Sequence, residues 1–252
     1  MTRMKILIPV ARGTHKDPDS SYSKAMYEIE RKTILQYVCE FLSTIHNASF
    51  VFITHRDDVE QYHFNDIISL LVPDAKIVVA QGSTKGSACS CLLALDYLET
   101  DEPLVIAGSD QLLTINLQDV LDKFIEKKYD GGVIIFEDIH PRWSYVKLDA
   151  HGYVVEAAEK HPISKHATTG FYYYRRGEDF VRSAMDMIKK GASVNGQFYV
   201  CPAYNEMILK QKKIGVYPIE KQQYYNLNHP KGIDAFESHL RGGEKRNAYK
   251  QA

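Results

Sequence analysis

The sequence predicts an α/β fold with a mostly parallel central sheet. Short, continuous apolar runs recur along the chain, and each predicts a strand that is buried on both faces. The early runs are each followed by a polar loop and a segment with helical apolar spacing. This alternation is typical of a parallel sheet with helices on both sides. With 252 residues, of which 44% are hydrophobic, the chain is long enough for one large domain of this class.

The first half of the chain alternates strands and helices regularly. The run from Ile6 to Val10 is continuously apolar, which predicts a central parallel strand. Apolar residues between Ile34 and Ile45 recur at helical spacing and predict a helix over 33–45. Further strands are predicted at 50–54, at 77–80 and within 103–109, and further helices at 59–72, 89–98 and 117–128.

The second half contains shorter, alternating strands before its helices. Strands are predicted at 132–136, 144–148, 152–156, 169–174 and 214–218, and helices at 178–190, 202–211 and 233–240. Because no Pro/Gly/Ser-rich linker separates the halves, we expect one domain over 1–240. The polar segment 241–252 is expected to be a mobile tail.

Bulk composition excludes several classes of partner. The net charge is −1, which leaves no overall basic field to attract nucleic acid or a membrane surface. The four cysteines do not form spaced pairs, so a structural zinc site is not expected. The first strand starts without a preceding signal peptide, and no apolar run is long enough to insert into a bilayer. We therefore expect a cytoplasmic protein; a homo-oligomer is compatible with this sequence.

Two stretches next to predicted strands suggest a site. Asp110 comes just past the carboxyl end of the strand within 103–109, where open α/β sheets bind ligands. A carboxylate there can hold Mg²⁺ shared with substrate phosphates, although an aspartate that caps a turn is the alternative. The polar stretch 11–24 contains Gly13 and follows the first strand, an arrangement that can cradle phosphates with backbone N–H groups. A flexible loop with scattered charges is the alternative there.

A series of short motifs carries a family resemblance. Segment 8–16 stands in for a glycine-rich loop, Ser23-Lys24-Ala25-Met26 for Pro-Lys-Pro-Leu, and Gln81 is followed after four residues by Gly86-Ser87-Ala88. Later come Asp110 after its strand, Trp143-Ser144-Tyr145-Val146 for Tyr-Gly-Val-Val, Glu159-Lys160, Thr168-Thr169-Gly170 for Asn-Ala-Gly, and Tyr224-Tyr225-Asn226 for Trp-x-Asp/Asn. In this order and over nearly the whole chain, they resemble the nucleotidyltransferase family that makes nucleoside-diphosphate sugars and related activated alcohols.

The resemblance implies a GT-A-like (Rossmann-like) three-layer α/β fold. A nucleotide-binding half over about 1–130 and a small acceptor-binding half over 131–240 are expected. The implied enzyme is a Mg²⁺-dependent nucleotidyltransferase that joins a nucleoside monophosphate from a triphosphate to a phosphorylated acceptor and releases pyrophosphate. CTP or UTP is favoured, with a role in surface polysaccharide biosynthesis. No acyltransferase activity is expected, since no β-helix follows.

The resemblance also assigns roles to individual residues. The implied metal ligands are Asp110 and Asn226; the alternative for Asn226 is a role as a turn asparagine. The implied catalytic cations are Lys24, Arg12, Lys16 and Lys160. The nucleotide contacts are Ala11, Gly13, Gln81, Gly86 and Ser87, and the acceptor contacts are Trp143, Ser144, Glu159, Thr168 and Asn205. The alternative for Lys24, Glu159 and Lys160 is simple surface exposure, and for Gln81 it is a loop role. For Trp143 and Asn205 the alternative is packing without a ligand contact.

Departures from the family pattern bear on the substrate. The loop has Ala11 or Arg12 at a glycine position, and His15 or Lys16 at the arginine position. Ser144 replaces a glycine and Thr168 an asparagine, so the acceptor need not be an ordinary hexose phosphate. It could be a sugar phosphate or another small phosphorylated compound.

Two other functions remain open at this point. A GT-A glycosyltransferase that consumes a nucleotide sugar would usually carry Asp-x-Asp at the metal, and the segment Ser109-Asp110-Gln111-Leu112 lacks the second aspartate. A non-catalytic nucleotide-binding homologue is suggested by the altered loop. Acceptor-dependent release of pyrophosphate distinguishes the transferase from both.

Overall fold

A nine-stranded sheet dominates the part of the chain that the computed structural model describes, which is residues 3–10 and 24–248, with only the backbone for 243–248. In chain order, the strands are β1 (Met4–Pro9), β2 (Glu28–Ile29), β3 (Lys32–Thr33), β4 (Ala48–His55), β5 (Lys76–Ala80), β6 (Leu104–Ala107), β7 (Gln111–Leu113), β8 (Gly131–Glu137), β9 (Ser144–Leu148), β10 (Val154–Glu159), β11 (His166–Tyr174), β12 (Ile214–Pro218) and β13 (Tyr224–Asn226). The helices are α1 (Ile34–Leu42), α2 (Arg56–Tyr62), α3 (Phe64–Leu71), α4 (Ser87–Leu92), α5 (Leu95–Leu98), α6 (Leu117–Glu126), α7 (Gly177–Lys189), α8 (Tyr204–Leu209) and α9 (Pro230–Ala248).

The sheet is mixed but mostly parallel, as predicted. β5, β4, β1 and β6 lie side by side in this order and run parallel. β1 is central, as its apolar run predicts. The long strand β11 then pairs antiparallel with β6, β8 and β9, and it joins the four parallel strands to the second half of the sheet, in which β12 runs parallel to β8. The predicted α/β class is therefore confirmed.

Two hydrophobic cores cover the two faces of the sheet. Ile6 and Ile8 of β1 point into one core with α1, α3 and α6, whereas Leu7 points into the other with α7 and α8. All three side chains are fully buried. This alternation follows from the period of two along a strand, and a run without polar residues satisfies both faces at once.

Several helices differ from the predicted boundaries. The predicted helix 59–72 is two helices, because His63 takes a left-handed conformation with φ 53° between them. The predicted helix 89–98 is likewise divided into α4 and α5. The last helix begins at Pro230 and its backbone continues to Ala248, into the segment expected as a tail. Proline suits a first helical turn because its fixed φ is already helical and no N–H is needed there.

A short antiparallel ribbon of β7 and β13 was not predicted. Each strand has only three residues, which is too short for an alternating pattern to be recognised. The ribbon follows directly after β6 and lies at the carboxyl end of the parallel strands.

Because the chain crosses from β1 to β4 on one side and returns to β6 on the other, the crevice between β1 and β6 is where an open α/β sheet binds ligands.

The cysteines are mostly buried in these cores. Cys39, Cys91 and Cys201 are buried, and Cys89 is half-buried. Burial raises the pKa of the Cys39 thiol to about 12, so that this group stays protonated and packs as a small apolar residue. Within the described ranges, no helix combines the length and the apolar character that crossing a membrane requires.

Candidate active site

The ribbon brings the two predicted metal ligands to one place. Gln111 is the register partner of Asn226, and Leu227 N–H donates a hydrogen bond of 2.8 Å to the Asp110 carbonyl. Asp110 lies at the start of the ribbon, three residues after the last residue of β6. Asp110 and Asn226 are therefore held beside each other at the carboxyl end of the sheet, although they are far apart in sequence.

The phenol of Tyr224 reports on the electrostatics around this pair. Tyr224 is 9% exposed, and its hydroxyl makes no hydrogen bond of ordinary geometry with a described residue. Burial first, and then the charge of Asp110, raise the pKa of this phenol, while the nearby Asn226 amide lowers it. The pKa of the Asp110 carboxyl is itself raised by burial, against the opposing effects of its own backbone N–H and of Lys24. The candidate site thus holds a desolvated carboxyl group close to a buried hydroxyl that makes no hydrogen bond of ordinary geometry with the described residues.

Lys24 is connected to the pair through Asn228. The Lys24 Nζ donates a hydrogen bond of 2.8 Å to Asn228 Oδ1, and the backbone N–H of Asn228 donates one of 3.0 Å to Asn226 Oδ1. Lys24 is exposed at the start of a short 3-10 turn, Lys24–Met26. Its positive charge is close enough to lower the pKa of the Asp110 carboxyl. The predicted catalytic lysine and both predicted metal ligands therefore belong to one connected cluster.

The donor set fits Mg²⁺ better than a softer ion. A carboxylate and an amide oxygen are hard ligands of the kind that this ion prefers, and it usually takes its other ligands from water and phosphates. Among the described residues, no group of three or more histidine, cysteine, aspartate or glutamate side chains could hold an ion by itself. Asp110 and Asn226 would therefore have to share an ion with a bound substrate. The Tyr224 hydroxyl, which makes no hydrogen bond of ordinary geometry within the described part of the chain, is suited to a further polar atom at this position.

A buried polar chain lies in the predicted acceptor half. The Ser144 hydroxyl donates a short hydrogen bond to Glu159, and the Tyr172 hydroxyl lies 3.4 Å from Ser144 Oγ and 3.1 Å from Thr168 Oγ1. Burial raises the pKa of the Glu159 carboxyl, against the effects of the Ser144 hydrogen bond and of Lys160. Three predicted acceptor residues thus meet, and Tyr172, which the sequence reasoning did not single out, connects them.

Lys160 is held at the rim of this half. The backbone of Lys160 takes a left-handed conformation with φ 53°. The Lys160 Nζ donates a hydrogen bond of 3.0 Å to the Tyr199 hydroxyl. The ammonium group also lies 5.0 Å from the centre of the Tyr199 ring. Lys160 is exposed and forms no ion pair with a described residue, so its charge is available to an anionic ligand.

Two predicted acceptor residues instead make structural contacts. Asn205 pairs both ends of its amide with the backbone of Ala157, at 2.8 Å each, which fixes α8 against β10. Trp143 is buried and forms edge contacts with Phe136 at 5.4 Å and with Tyr224 at 5.6 Å. Trp143 therefore connects the ribbon to the acceptor half through packing. Its indole is covered by these neighbours and is not exposed to a ligand.

The predicted base-binding segment is held by backbone hydrogen bonds to Phe198. Gly86 has φ +106°, and a Cβ there would lie 2.4 Å from the Phe198 carbonyl oxygen. Phe198 N–H donates to the Lys85 carbonyl at 2.7 Å, and Ala88 N–H donates to the Phe198 carbonyl at 3.0 Å. Gly86 thus permits close approach of protein backbone, which is a different reason from the predicted approach of a base. Gln81 is exposed, and Ser87 begins α4.

Gln111, which the sequence reasoning did not single out, comes directly after Asp110 and begins β7. Its side chain packs between Gly108 and Gly170, since a Cβ at Gly170 would lie 2.2 Å from Gln111 Oε1 and one at Gly108 would lie 2.9 Å from its Cδ. Gly170 has φ +84°. The glycine in the Thr-Thr-Gly motif was the available signal, because an isolated glycine in a strand often marks the close approach of another group. Ala11, Arg12, Gly13 and Lys16 lie outside the described residues.

One family model matches most of this chain, and one curated protein is similar to it in sequence. A family model described as Nucleotidyl transferase matches residues 19–206. The bifunctional protein GlmU of Thermodesulfovibrio yellowstonii is 24% identical over 240 residues, which cover 88% of this chain and 49% of that protein. This chain therefore spans about half the length of that curated relative.

Two solved structures are similar over almost their whole length. The nucleoside-diphosphate-sugar pyrophosphorylase from Vibrio cholerae RC9 has a TM-score of 0.77 and 20% identity, with 93% of this chain and 99% of that chain covered. A UDP-glucose pyrophosphorylase complexed with UDP-glucose has a TM-score of 0.75 and 16% identity, with 96% and 100% covered. At these identities the likeness shows the shared fold.

Proposed function

Because this chain belongs to the nucleotidyl transferase family, we propose that it transfers a nucleoside monophosphate from a triphosphate to a small phosphorylated acceptor. An oxygen of the acceptor phosphate attacks the α-phosphorus, the bond between the α-phosphorus and its bridging oxygen to the β-phosphate breaks, and pyrophosphate leaves. Both reactants are anions, so the barrier is largely one of charge repulsion and alignment. The chain therefore has to supply positive charge and fixed geometry, and it needs no covalent nucleophile.

The observation that carries this proposal is the meeting of Asp110, Asn226 and Lys24. In the proposal, Asp110 and Asn226 hold Mg²⁺, which when bound neutralises charge on the phosphates. Lys24 stabilises the negative charge that moves onto the leaving pyrophosphate. Asn228 sets the position of the Lys24 ammonium group through its 2.8 Å hydrogen bond. Pre-positioned charge of this kind lowers a barrier because little reorganisation is needed during the reaction.

The acceptor is proposed to bind beside the second half of the sheet. Lys160 contacts the acceptor phosphate, since its exposed ammonium group has no carboxylate partner among the described residues. Glu159, Ser144 and Thr168 contact acceptor hydroxyl groups through the polar chain that also includes Tyr172. We do not extend this role to Asn205, whose amide is paired with the backbone, or to the Trp143 indole, which is packed.

The nucleotide is proposed to lie across the carboxyl ends of the parallel strands. Gln81, Gly86 and Ser87 are the proposed contacts to the base, and Ala11, Arg12, Gly13 and Lys16 those to the triphosphate. CTP or UTP is the proposed donor, and the uridine nucleotide sugar named with one structural relative supports a pyrimidine base. A sugar phosphate or another small phosphorylated compound is the proposed acceptor, in a step of surface polysaccharide synthesis in the cytoplasm.

A pyrophosphate-release assay tests this function. The chain is incubated with Mg²⁺, each nucleoside triphosphate in turn, and a panel of sugar phosphates and other phosphorylated compounds. We expect acceptor-dependent pyrophosphate with one triphosphate, and loss of at least about a hundred-fold in turnover for Asp110→Ala, since such electrostatic groups contribute about this much. Asp74→Ala is the matched control, because Asp74 is exposed just before β5, at the opposite end of the sheet.

Three outcomes would contradict the proposal. Release of nucleoside diphosphate from a nucleotide sugar, without pyrophosphate from any triphosphate, would identify a glycosyltransferase. Binding of triphosphates without turnover across the whole acceptor panel would identify a non-catalytic homologue. An unchanged rate in folded Asp110→Ala would remove Asp110 from the site.

A further inference from the structure

Segment 194–200, which follows α7, contacts both halves of the proposed site. Its residue Phe198 exchanges backbone hydrogen bonds with the predicted base-binding segment at 85–88. The next residue, Tyr199, contacts Lys160 in the acceptor half through its side chain. The base-binding segment and the proposed acceptor lysine are therefore held by neighbouring residues of one stretch of chain.

The backbone of segment 194–200 is fixed at both of its ends. Val194 and Gln197 form two backbone hydrogen bonds with each other, at 2.9 and 3.0 Å. The two residues between them, Asn195 and Gly196, have φ of 52° and 75°, which suits a two-residue hairpin turn. At the other end, Val200 is buried in the core that includes α7 and α8. The segment is thus a firm support for the side chains that it carries.

The hydrogen bonds of the Tyr199 hydroxyl run in one direction. A lysine ammonium group can only donate, so the Tyr199 oxygen is the acceptor in its 3.0 Å contact with Lys160 Nζ. The hydroxyl proton is then donated to Gln197 Oε1, at 2.9 Å. Gln197 thus orients the hydroxyl so that a lone pair faces the ammonium group.

The ammonium group of Lys160 is restrained without being neutralised. The backbone N–H of Lys160 donates a hydrogen bond of 3.0 Å to the Trp143 carbonyl, which anchors this residue just after β10. The carboxylate of the preceding residue, Glu159, accepts a hydrogen bond from the Ser144 hydroxyl. The tyrosine that holds the ammonium group carries no charge, and it occupies one of the three N–H donors. Two donors remain for an anionic ligand.

We propose that Tyr199, oriented by Gln197, is a positioning residue that holds the Lys160 ammonium group in place for the acceptor phosphate. This inference rests on the proposed function, in which Lys160 contacts that phosphate. A free lysine side chain would lose much rotamer entropy when it binds an anion, whereas one that is already held loses less. Because Phe198 holds the base-binding segment, the same stretch of chain also sets where the acceptor phosphate lies relative to the nucleotide.

Binding of inorganic phosphate, measured by calorimetry in a double-mutant cycle, tests this role without turnover. We expect Lys160→Met to bind phosphate about ten-fold or more weakly than the wild type, because it loses the charge. Tyr199→Phe keeps both the ring and the lysine, and it should bind phosphate about three- to ten-fold more weakly. In the Lys160→Met background, Tyr199→Phe should cause no further loss, since Tyr199 acts only through Lys160.

Tyr153→Phe is the matched control. Lys213 Nζ lies 5.8 Å from the centre of the Tyr153 ring, so this pair is also a lysine beside a tyrosine. Lys213 directly precedes β12, at the end of the sheet where β6 begins and opposite the proposed site. The phosphate affinity of Tyr153→Phe should equal that of the wild type. Gln197→Met, which removes only the acceptor of the Tyr199 proton, should bind phosphate about two- to five-fold more weakly.

Steady-state kinetics separate positioning from a purely structural role. With an acceptor that supports pyrophosphate release, Tyr199→Phe should raise the KM for that acceptor about three- to ten-fold and leave the KM for the triphosphate unchanged. A disturbance of the whole segment 194–200 would raise both values, because Phe198 in the same segment holds the base-binding segment. A rise in both values would therefore overturn the positioning role.

The outcomes also separate this inference from the proposed function. Equal phosphate affinity in the wild type and folded Tyr199→Phe would overturn the role of Tyr199, even in an active transferase. So would an affinity that does not depend on Lys160, an equal loss in the Lys160→Met background, or an equal loss in Tyr153→Phe. If Tyr199→Phe does not fold, equal affinity of Gln197→Met and the wild type overturns it. A chain without turnover that gives the expected cycle would retain the anion site and refute the transferase.

Discussion

The side-chain oxygen of Asn226 accepts a hydrogen bond of 3.0 Å from the backbone N–H of Asn228. This contact orients the Asn226 amide and leaves its oxygen with one further lone pair for a metal ion. An aspartate at this position could accept the same hydrogen bond and would add a negative charge. The two residues thus explain why an uncharged ligand can occupy this place in the proposed site.

Two substitutions of Asn226 test whether its side-chain oxygen binds the metal ion: one removes the oxygen, and the other keeps it and adds a negative charge. We expect Asn226→Ala to raise the Mg²⁺ concentration for half-maximal activity roughly ten- to hundred-fold, because a ligand and its support are lost together. Asn226→Asp should keep or strengthen metal binding. Titration with Mg²⁺, and Mn²⁺ binding by electron paramagnetic resonance, measure this. Equal metal binding by all three proteins would mean that Asn226 is only a turn residue.

Removing the Tyr224 hydroxyl should have different effects with and without ligand. Its oxygen has no ordinary hydrogen bond with a described residue, so we expect Tyr224→Phe to leave the free energy of unfolding unchanged or to raise it by about 1 kcal/mol. Stabilisation by Mg²⁺ with a triphosphate should be smaller in the variant. Thermal and chemical denaturation, each with and without these ligands, provide the measurement.

Tyr204→Phe is the matched control for that experiment. The Tyr204 hydroxyl lies 2.8 Å from the Gly132 carbonyl oxygen and 2.9 Å from the Tyr173 carbonyl oxygen, and its ring is fully buried. Its loss should cost about 1–3 kcal/mol, since carbonyl groups are left without their partner. If Tyr224→Phe destabilises the ligand-free protein as much as Tyr204→Phe does, the Tyr224 hydroxyl has a partner in solution.

Gly86→Ala should destabilise the fold through a steric clash. The new Cβ would lie 2.4 Å from the Phe198 carbonyl oxygen, and φ +106° is strained for alanine. We expect a loss of roughly 2–4 kcal/mol in the free energy of unfolding, as the strain and the displaced backbone contribute together. Urea denaturation measures this. Gly152→Ala isolates the conformational part, since Gly152 has φ +82° and no atom within 4 Å of a new Cβ. Equal effects of both substitutions would contradict the contact.

Glu159 should make stability depend on pH in a defined direction. Burial raises the pKa of its carboxyl above the ordinary value of 4.5, so the folded state holds a proton that the unfolded state releases. The resulting stabilisation is fully present below pH 4.5 and is lost as pH rises through the folded pKa. As pH rises from about 4.5, the wild type should lose free energy of unfolding and Glu159→Gln should not. The stability of the variant relative to the wild type should therefore increase with pH.

Glu137→Gln provides a control of opposite sign. The ion pair with Lys165, at 2.6 Å, lowers the pKa of the Glu137 carboxyl. Its contribution is present above the ordinary pKa and is lost as pH falls through the folded value, so this variant should approach the wild type in acid. Parallel denaturation curves between pH 4 and 8 test both signs. A constant difference between Glu159→Gln and the wild type over this range would contradict the buried acid.

Particular residues show which features of the structure could be predicted from the sequence and which could not. The uninterrupted apolar run in β1 predicted a central strand, and its neighbours β4 and β6 confirm it. Family motifs predicted roles for Asp110, Asn226 and Lys24, and the structure brings these three residues together, while their roles stay predictions. The ribbon that brings them together was missed because three-residue strands have no readable period. The break at His63 was missed because a left-handed residue leaves the apolar spacing unchanged.

The sequence by itself determined the α/β class and the chemical types of the site residues, because hydrophobic period and residue chemistry are local properties of a chain. Only the tertiary structure decided that Asn205 pairs with backbone, that Gly86 makes room for Phe198, and that Trp143 packs between Arg142 and Tyr224. Except for that of Trp143 with Arg142, each of these contacts joins residues distant in sequence. Their partners depend on register and packing, which one stretch of sequence does not contain.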